Sequence, residues 1–380
     1  MTPRAKILIE ARILKRGRAT STGARPSTTR DLEASKRSLR FESLNLAPGL
    51  SLLETIGVKG VTRVDYLRRF ERFTTWSLEN PRGPRLLTTL TPDQILDQRL
   101  CAFFDVLFKE GAPVNDGSKL VAAIGYYLPG YHRATVSRLP RATRALKSWT
   151  KHGPGDQRLP LPFGLLCVVM AELLRRNLVA HALCLLIQFD TFLRPGEVTS
   201  LLVKQLVPPV GVLGAPYDKW AINIAPLELD KPAKTGLWDE SLEVTLPRWT
   251  FQFLRTLVEG RSPSEKLWPF THAELSIVFR SCLAATGLGH LRTSLYAIRH
   301  GGASESLLRR TRSIEDIQRR GRWRARSSLQ RYTKEAKLLI ELHKVDPEIL
   351  AHGALVERKL EQFFRGPASV PKLTLELQRG

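Results

Sequence analysis

The sequence predicts a mainly α fold with one small β-hairpin or sheet (α+β), arranged as two domains, and three observations predict it. Apolar residues recur at helical steps through most of residues 60–150 and 163–366. Strand-like alternation appears around residues 220–246, and a glycine-, proline- and charge-rich stretch parts the two helical halves. At 380 residues the chain is long enough for two ordinary domains, and 43% hydrophobic content suffices for their cores.

Residues 1–45 are rich in Arg, Lys, Ser and Thr, with no sustained apolar period after Ile7-Leu8-Ile9. They read as a flexible basic arm that touches phosphates, although a transit peptide has a similar composition. In residues 46–150, Val64, Tyr66, Leu67, Phe70, Phe73 and Trp76 fall at three- and four-residue steps, which gives a first helix. Thr91-Pro92-Asp93-Gln94 reads as an N-cap with proline at the first helical position, opening a second helix through Phe104, Val106, Leu107 and Phe108. The apolar stretch 120–128, stopped by Pro129-Gly130, and residues 138–149 supply a third and a fourth. Residues 151–162 have the composition of a linker.

The second domain, residues 163–366, opens with two strongly apolar helical stretches, 163–174 and 178–189. The period then changes: Trp220, Ile222 and Ile224 alternate with smaller or polar residues, as do Leu242, Val244 and Leu246. Asp230-Lys231-Pro232-Ala233-Lys234-Thr235-Gly236 lies between them, so the segment is a β-hairpin with a lysine-bearing turn. Helical periodicity returns from Phe251 and runs with interruptions to Phe364. Arg365-Gly366-Pro367 closes it, leaving residues 367–380 as a flexible tail.

Lys and Arg total 59 against 36 Asp and Glu, a net charge of +23, which points to a polyanionic partner or a membrane surface, the plain alternative being a merely basic soluble protein. The longest apolar stretches contain Glu172, His181 and Gln188 and are parted by Arg175-Arg176. They fall short of the roughly 20 residues of a membrane span, so the chain reads as soluble, with no membrane partner. Cys101, Cys167, Cys184 and Cys282 are scattered in apolar sequence without the close pairs of a zinc site or disulfide framework, and read as reduced core residues.

Several residues carry chemistry. Arg194 precedes Pro195, which biases it to an extended backbone at a helix entrance, with Glu197 in the first turn to orient it. A guanidinium held there can grip two phosphate oxygens at once, while a lone surface arginine is the plain alternative. Tyr296 and Arg299 share a helix face, and Gly301-Gly302 lets a backbone come close; the ordinary arrangement would be a core tyrosine beside a solvated arginine. Lys234 in the turn, with Lys231 as an equally basic neighbour, can reach a leaving oxygen and protonate it. From Arg309 to Lys334 nine arginines, Arg322, Arg324 and Arg326 among them, face only Glu315 and Asp316 within the run. The run reads as a strongly cationic surface over a packed helix. It also holds Gly321-Arg322-Trp323 and, nine positions after the tryptophan, Tyr332.

Together these residues resemble the tyrosine recombinases, the phage integrase-like site-specific recombinases, over roughly residues 159–334. Leu193-Arg194-Pro195-Gly196-Glu197 looks like the family's leucine-arginine-x-x-glutamate box, and Lys234-Thr235-Gly236 like its hairpin lysine. Tyr296-Ala297-Ile298-Arg299-His300 fills the histidine-x-x-arginine box, and Gly321, Trp323 and Tyr332 match the glycine, the tryptophan or histidine, and the nucleophile. Tyr296 departs from the usual histidine; a tyrosine hydroxyl donates a hydrogen bond but is a poor base near neutral pH. The combination looks most like recombinases of crypton- or DIRS-type eukaryotic mobile elements.

The resemblance implies a helical core-binding-like domain followed by a catalytic domain, and a metal-free, cofactor-free reaction. Tyr332 attacks a DNA phosphate and leaves a 3′-phosphotyrosine link, Arg194 and Arg299 stabilise the transition state, Trp323 adds a hydrogen bond, and Lys234 protonates the leaving oxygen. It also implies double-stranded DNA as partner, a homotetramer on DNA, and a nuclear location in a eukaryote or a cytoplasmic one elsewhere. Two alternatives stand beside it: a domesticated DNA-binding protein that keeps the fold without the activity, and a type IB topoisomerase-like relaxing enzyme that uses similar residues. The helical tail after Tyr332 favours the recombinase, because such tails can dock on a neighbouring protomer. A basic helical scaffold for RNA or chromatin would leave the ordered motifs unexplained.

Overall fold

The computed structural model describes residues 50–80, 92–131, 138–153, 159–229, 238–291, 293–324 and 335–373. The chain divides into two compact units, one ending at Gly155 and the other starting at Asp156.

The first unit holds α1 (Leu52–Ile56), α2 (Gly60–Glu79), α3 (Pro92–Lys109), α4 (Val114–Tyr127) and α5 (Pro140–His152). Helix α1 opens with a reciprocal cap: the Ser51 hydroxyl accepts from the Glu54 N–H, and the Glu54 carboxylate accepts from the Ser51 N–H at 2.8 Å. Phe73, Leu100, Phe103, Phe104, Leu107, Ile124, Leu146 and Trp149 form the core. Helix α4 starts well before the expected apolar stretch, because Asp116-Gly117-Ser118 breaks the pattern without breaking the helix. A Cβ on Gly117 would lie 2.7 Å from Leu146 and 2.9 Å from Trp149, so the glycine is there to let α5 close on α4. Helix α5 has Leu139 at its N-cap and no local side-chain cap. Buried Asp97 of α3 takes that place, accepting from the main-chain N–H groups of Arg141 at 2.8 Å and Ala142 at 2.7 Å. Thr91, the expected cap of α3, lies outside the described residues.

The second unit holds α6 (Phe163–Arg175), α7 (Val179–Thr191), α8 (Pro195–Val198), β1 (Leu206–Val207), β2 (Trp220–Ile224), β3 (Glu240–Val244), α9 (Phe251–Thr256), α10 (His272–Ala285), α11 (Leu295–Leu308), α12 (Ile314–Gly321), α13 (Glu335–Leu342), α14 (Pro347–Arg358) and α15 (Leu360–Arg365). Helices α6 and α7 are apolar on nearly every side because they form the middle of the core. The sheet is antiparallel in the order β1-β2-β3, with Trp220 opposite Val244 and Ile222 opposite Leu242, and these residues bury one face. Strand β3 ends at Val244, so Leu246 lies past it and is only half-buried.

The segment after residue 335 is largely core: Ile349, Val356, Leu360, Phe363 and Phe364 are buried within this unit. A Cβ on Gly353 would lie 2.5 Å from the Gly164 carbonyl oxygen, so α14 rests directly on the α6 backbone. The segment after residue 335 thus adds to the core of its own unit, while Leu339 and Ile340 of α13 are exposed. Cys167, Cys184 and Cys282 are buried thiols, and burial pushes Cys282 up to about 11, whereas Cys101 is only half-buried. Among the described residues no helix is long and apolar enough to cross a membrane.

Candidate active site

Three short backbone segments of the second unit meet at one place. The first follows α7. Phe192 adopts left-handed backbone (φ 54), which turns the chain sharply and buries its ring completely against Ala303 and Ile317. Arg194 is then extended (φ −67, ψ 147), as its position before proline requires, and Pro195 opens α8. Glu197 folds back to accept from the Arg194 main-chain N–H at 2.9 Å, and Arg194 Nη1 donates to Glu197 Oε1 at 2.6 Å.

The second segment is α11. Gly301 and Gly302 admit other backbone into direct contact: a Cβ on either would lie 2.0 Å from a carbonyl oxygen, of Leu161 and Phe189 respectively. This close packing draws Arg299 inside, where only 2% of it is exposed. Its Nη1 donates to the Phe192 carbonyl and its Nη2 to the Gly321 carbonyl. Both acceptors are main-chain carbonyls, and together they fix the plane of the guanidinium. Tyr296, one turn earlier, is half-buried with its ring 5.9 Å from that of His300. The ordinary arrangement is thus reversed: the arginine is in the core and the tyrosine nearer the surface.

The third segment ends α12. Arg322 is left-handed (φ 54), and the chain doubles back so that the Trp323 N–H donates to the Gln318 carbonyl at 3.1 Å. The Trp323 ring then covers Arg299, whose guanidinium carbon is 4.9 Å from the ring centroid, and lies 6.4 Å from the Phe192 ring. Gly321 makes room for that ring. Arg322, with a side chain 4% exposed, donates to Glu197 Oε2 and, through Nη1, to Glu240 at 3.4 Å. Burial pushes the Glu197 carboxyl up in pKa, but Arg322 and Arg194 outweigh it and hold the group below the usual carboxylate range. Among the described residues, Arg194 and Arg322 share Glu197, Arg322 also reaches Glu240, and Arg299 lies beside them against Gly321 and Trp323.

The arginine run is only partly the cationic surface expected. Arg312 and Arg320 turn inward to Asp190, at 3.2 and 3.0 Å, and each stacks its guanidinium 5.7 Å from the Phe192 ring. Arg309 pairs with Glu305 and Glu357, Arg319 with Asp316, and Arg322 with the two carboxylates already described. Asp190 also accepts from the Thr245 N–H at 2.8 Å, tying α7 to the end of β3. Burial pulls the Arg320 pKa down, and Arg312 beside it adds to the effect.

Of the residues singled out in the sequence, the structure brings Arg194, Glu197, Arg299, Arg322 and Trp323 together, with Tyr296 and His300 on the helix that carries Arg299. Arg324 is exposed at the end of the described segment. Lys231, Lys234, Arg326 and Tyr332 lie outside the described residues. Phe192 and Asp190 are central to the site and carry no sequence signal of their own. Among the described residues no group of three His, Cys, Asp or Glu could hold a metal ion.

No family model matches the chain. No curated protein matches it either. Solved structures do. A lambda integrase dimer bound to a core site matches at TM-score 0.47 and 12% identity, over 74% of this chain and 92% of that one. The Tn1549 transposon integrase in complex with transposon right-end DNA matches at TM-score 0.47 and 13% identity, over 82% and 98%. The XerH site-specific recombinase bound to a palindromic difH substrate matches at 0.39 and 15%, over 81% and 93%. Each is an integrase or a site-specific recombinase.

Proposed function

We propose that the chain is a tyrosine recombinase that cuts and rejoins double-stranded DNA through a 3′-phosphotyrosine intermediate at Tyr332. The observation that carries this reading is the meeting of Arg194, Arg299 and Trp323: Arg299 bonds to Phe192, 107 residues away in sequence, and to Gly321. Arg194 stands two residues after Phe192 and is tied through Glu197 to Arg322, which lies between Gly321 and Trp323, and this chain of contacts supports a reading in which both guanidinium groups serve one phosphate.

The chemistry follows from charge. In-line attack on a phosphodiester develops negative charge on the non-bridging oxygens, and preorganised guanidinium donors stabilise it at little reorganisation cost. Arg299 is preorganised by its two carbonyl bonds and its ring, and Arg194 by its extended backbone at the entrance of α8, ahead of Pro195. Tyr332 supplies the nucleophile: its oxygen bonds to phosphorus as the bond to the 5′ oxygen breaks. Lys234 gives a proton to that oxygen. With Tyr296 in place of a histidine, the phosphate or a water takes the phenol proton. In the reverse step a DNA hydroxyl attacks the phosphotyrosine, so no nucleotide is consumed.

The test uses the full chain and a nicked duplex that traps the covalent state. The wild type forms a protein–DNA adduct, while Tyr332→Phe retains DNA binding and forms none. An adduct that persists in Tyr332→Phe overturns the assignment of the nucleophile, and DNA binding with no adduct in the wild type leaves a DNA-binding protein without strand-cutting activity.

A further inference from the structure

Arg322 is the one residue between Gly321 and Trp323, and its place is costly in two ways. It holds left-handed backbone (φ 54) despite its Cβ, and its side chain is 4% exposed with a buried Nε that has no hydrogen-bond partner among the described residues. What offsets those costs is its grip on Glu197 and Glu240.

Glu197 sits three residues after Arg194 at a helix N-terminus. Alone, such a carboxylate would close on the arginine in a two-pronged pair, the same geometry that a phosphodiester needs from it. Here it does not. Oε2 accepts from Arg322 and from the Arg194 main-chain N–H, so Oε1 alone meets the Arg194 guanidinium, through a single nitrogen. Glu240, reaching in from β3, holds Arg322 from the other side at 3.4 Å.

We propose that Arg322 is a positioning residue: by drawing the Glu197 charge toward itself, it stops Glu197 from occupying Arg194 as an internal phosphate mimic. The role rests on the phosphate-binding function given to Arg194 above. It needs three things together: a guanidinium at the left-handed position, a second carboxylate on β3, and Glu197.

The experiment compares the full-length wild type with Arg322→Gly, Glu197→Gln and the double variant. Glycine suits left-handed backbone, so Arg322→Gly removes the guanidinium while easing the main chain. Arg322→Asn, which also tolerates that conformation, serves where the glycine variant does not fold. Thermal unfolding checks folding, calorimetry measures binding of inorganic phosphate, and the nicked duplex measures adduct formation. Loss of Arg322 should weaken phosphate binding on the order of ten- to hundredfold, as for loss of a charge-assisted contact. Adding Glu197→Gln should recover most of it, because the competing charge is gone. Unchanged phosphate affinity in folded Arg322→Gly overturns the proposal. So does a double variant as weak as or weaker than the single one, since that is how a merely structural ion pair behaves. The two readings fail separately: no adduct in the wild type removes the recombinase reading, while the phosphate titrations still decide the role of Arg322.

Discussion

Gly321→Ala puts one methyl group where the site has no space for it. A Cβ at that position would lie 1.8 Å from Trp323 Cζ3, 2.0 Å from Cε3 and 2.3 Å from Cη2. Non-bonded carbons settle at about 3.5–4.0 Å, so the ring must retreat by about 1.5 Å or more. It cannot do so and keep its places 4.9 Å over Arg299 and 6.4 Å from Phe192. Losing a desolvated cation–π contact costs up to about 2 kcal/mol and overpacking about 1–3 kcal/mol. Alanine at the last residue of α12 returns roughly 0.5–1 kcal/mol of helix propensity. The balance is about 2 kcal/mol of lost stability, or a fall in Tm of roughly 4–8 °C for a unit of this size. Thermal unfolding followed by circular dichroism measures it, and adduct formation on the nicked duplex should fall with it. A Tm that is unchanged or higher, with adduct formation intact, would refute the idea that the glycine exists to seat the ring over Arg299.

Asp190→Asn leaves Arg312 and Arg320 without their shared carboxylate, and breaking a buried ion pair on one side costs about 3–5 kcal/mol. Urea unfolding reads the loss, and a change within about 0.5 kcal/mol would mean the cluster contributes no net stability. The Glu197 carboxyl is held lower in the folded chain than in the unfolded one, so its contribution is complete above the unfolded value of about 4.3 and is lost as pH falls through the folded value. Glu197→Gln should therefore flatten the acid limb of the stability profile below about pH 4.3, and an unaltered limb would assign the pH dependence elsewhere.

The long helices were legible because a helix packed on one side repeats its apolar residues every three to four positions. The pattern failed where a tertiary contact overrode it. Gly117 looks like a break and is instead the point where α5 presses on α4. Strand β1 has two residues and cannot show a period. At the site, the resemblance to the recombinase boxes picked out Arg194, Arg299, Trp323 and the glycines beside them. It could not show which carboxylates meet which arginines, because Asp190 is 130 residues from Arg320 and Glu197 is 125 from Arg322. From the local sequence the run from Arg309 onward looks unneutralised, and only folding reveals its partners. Phe192 was invisible for a different reason: a phenylalanine in left-handed backbone has no compositional sign.

The claim on which all of this depends is that Arg194 and Arg299 take hold of the same phosphate. A crystal structure of the full chain with duplex DNA and orthovanadate, which mimics the five-coordinate phosphorus, tests it most directly. The account predicts one vanadate whose equatorial oxygens are bonded by both guanidinium groups, with the Tyr332 oxygen at an apex. Two arginines on different phosphates, or a vanadate held without either of them, would contradict it.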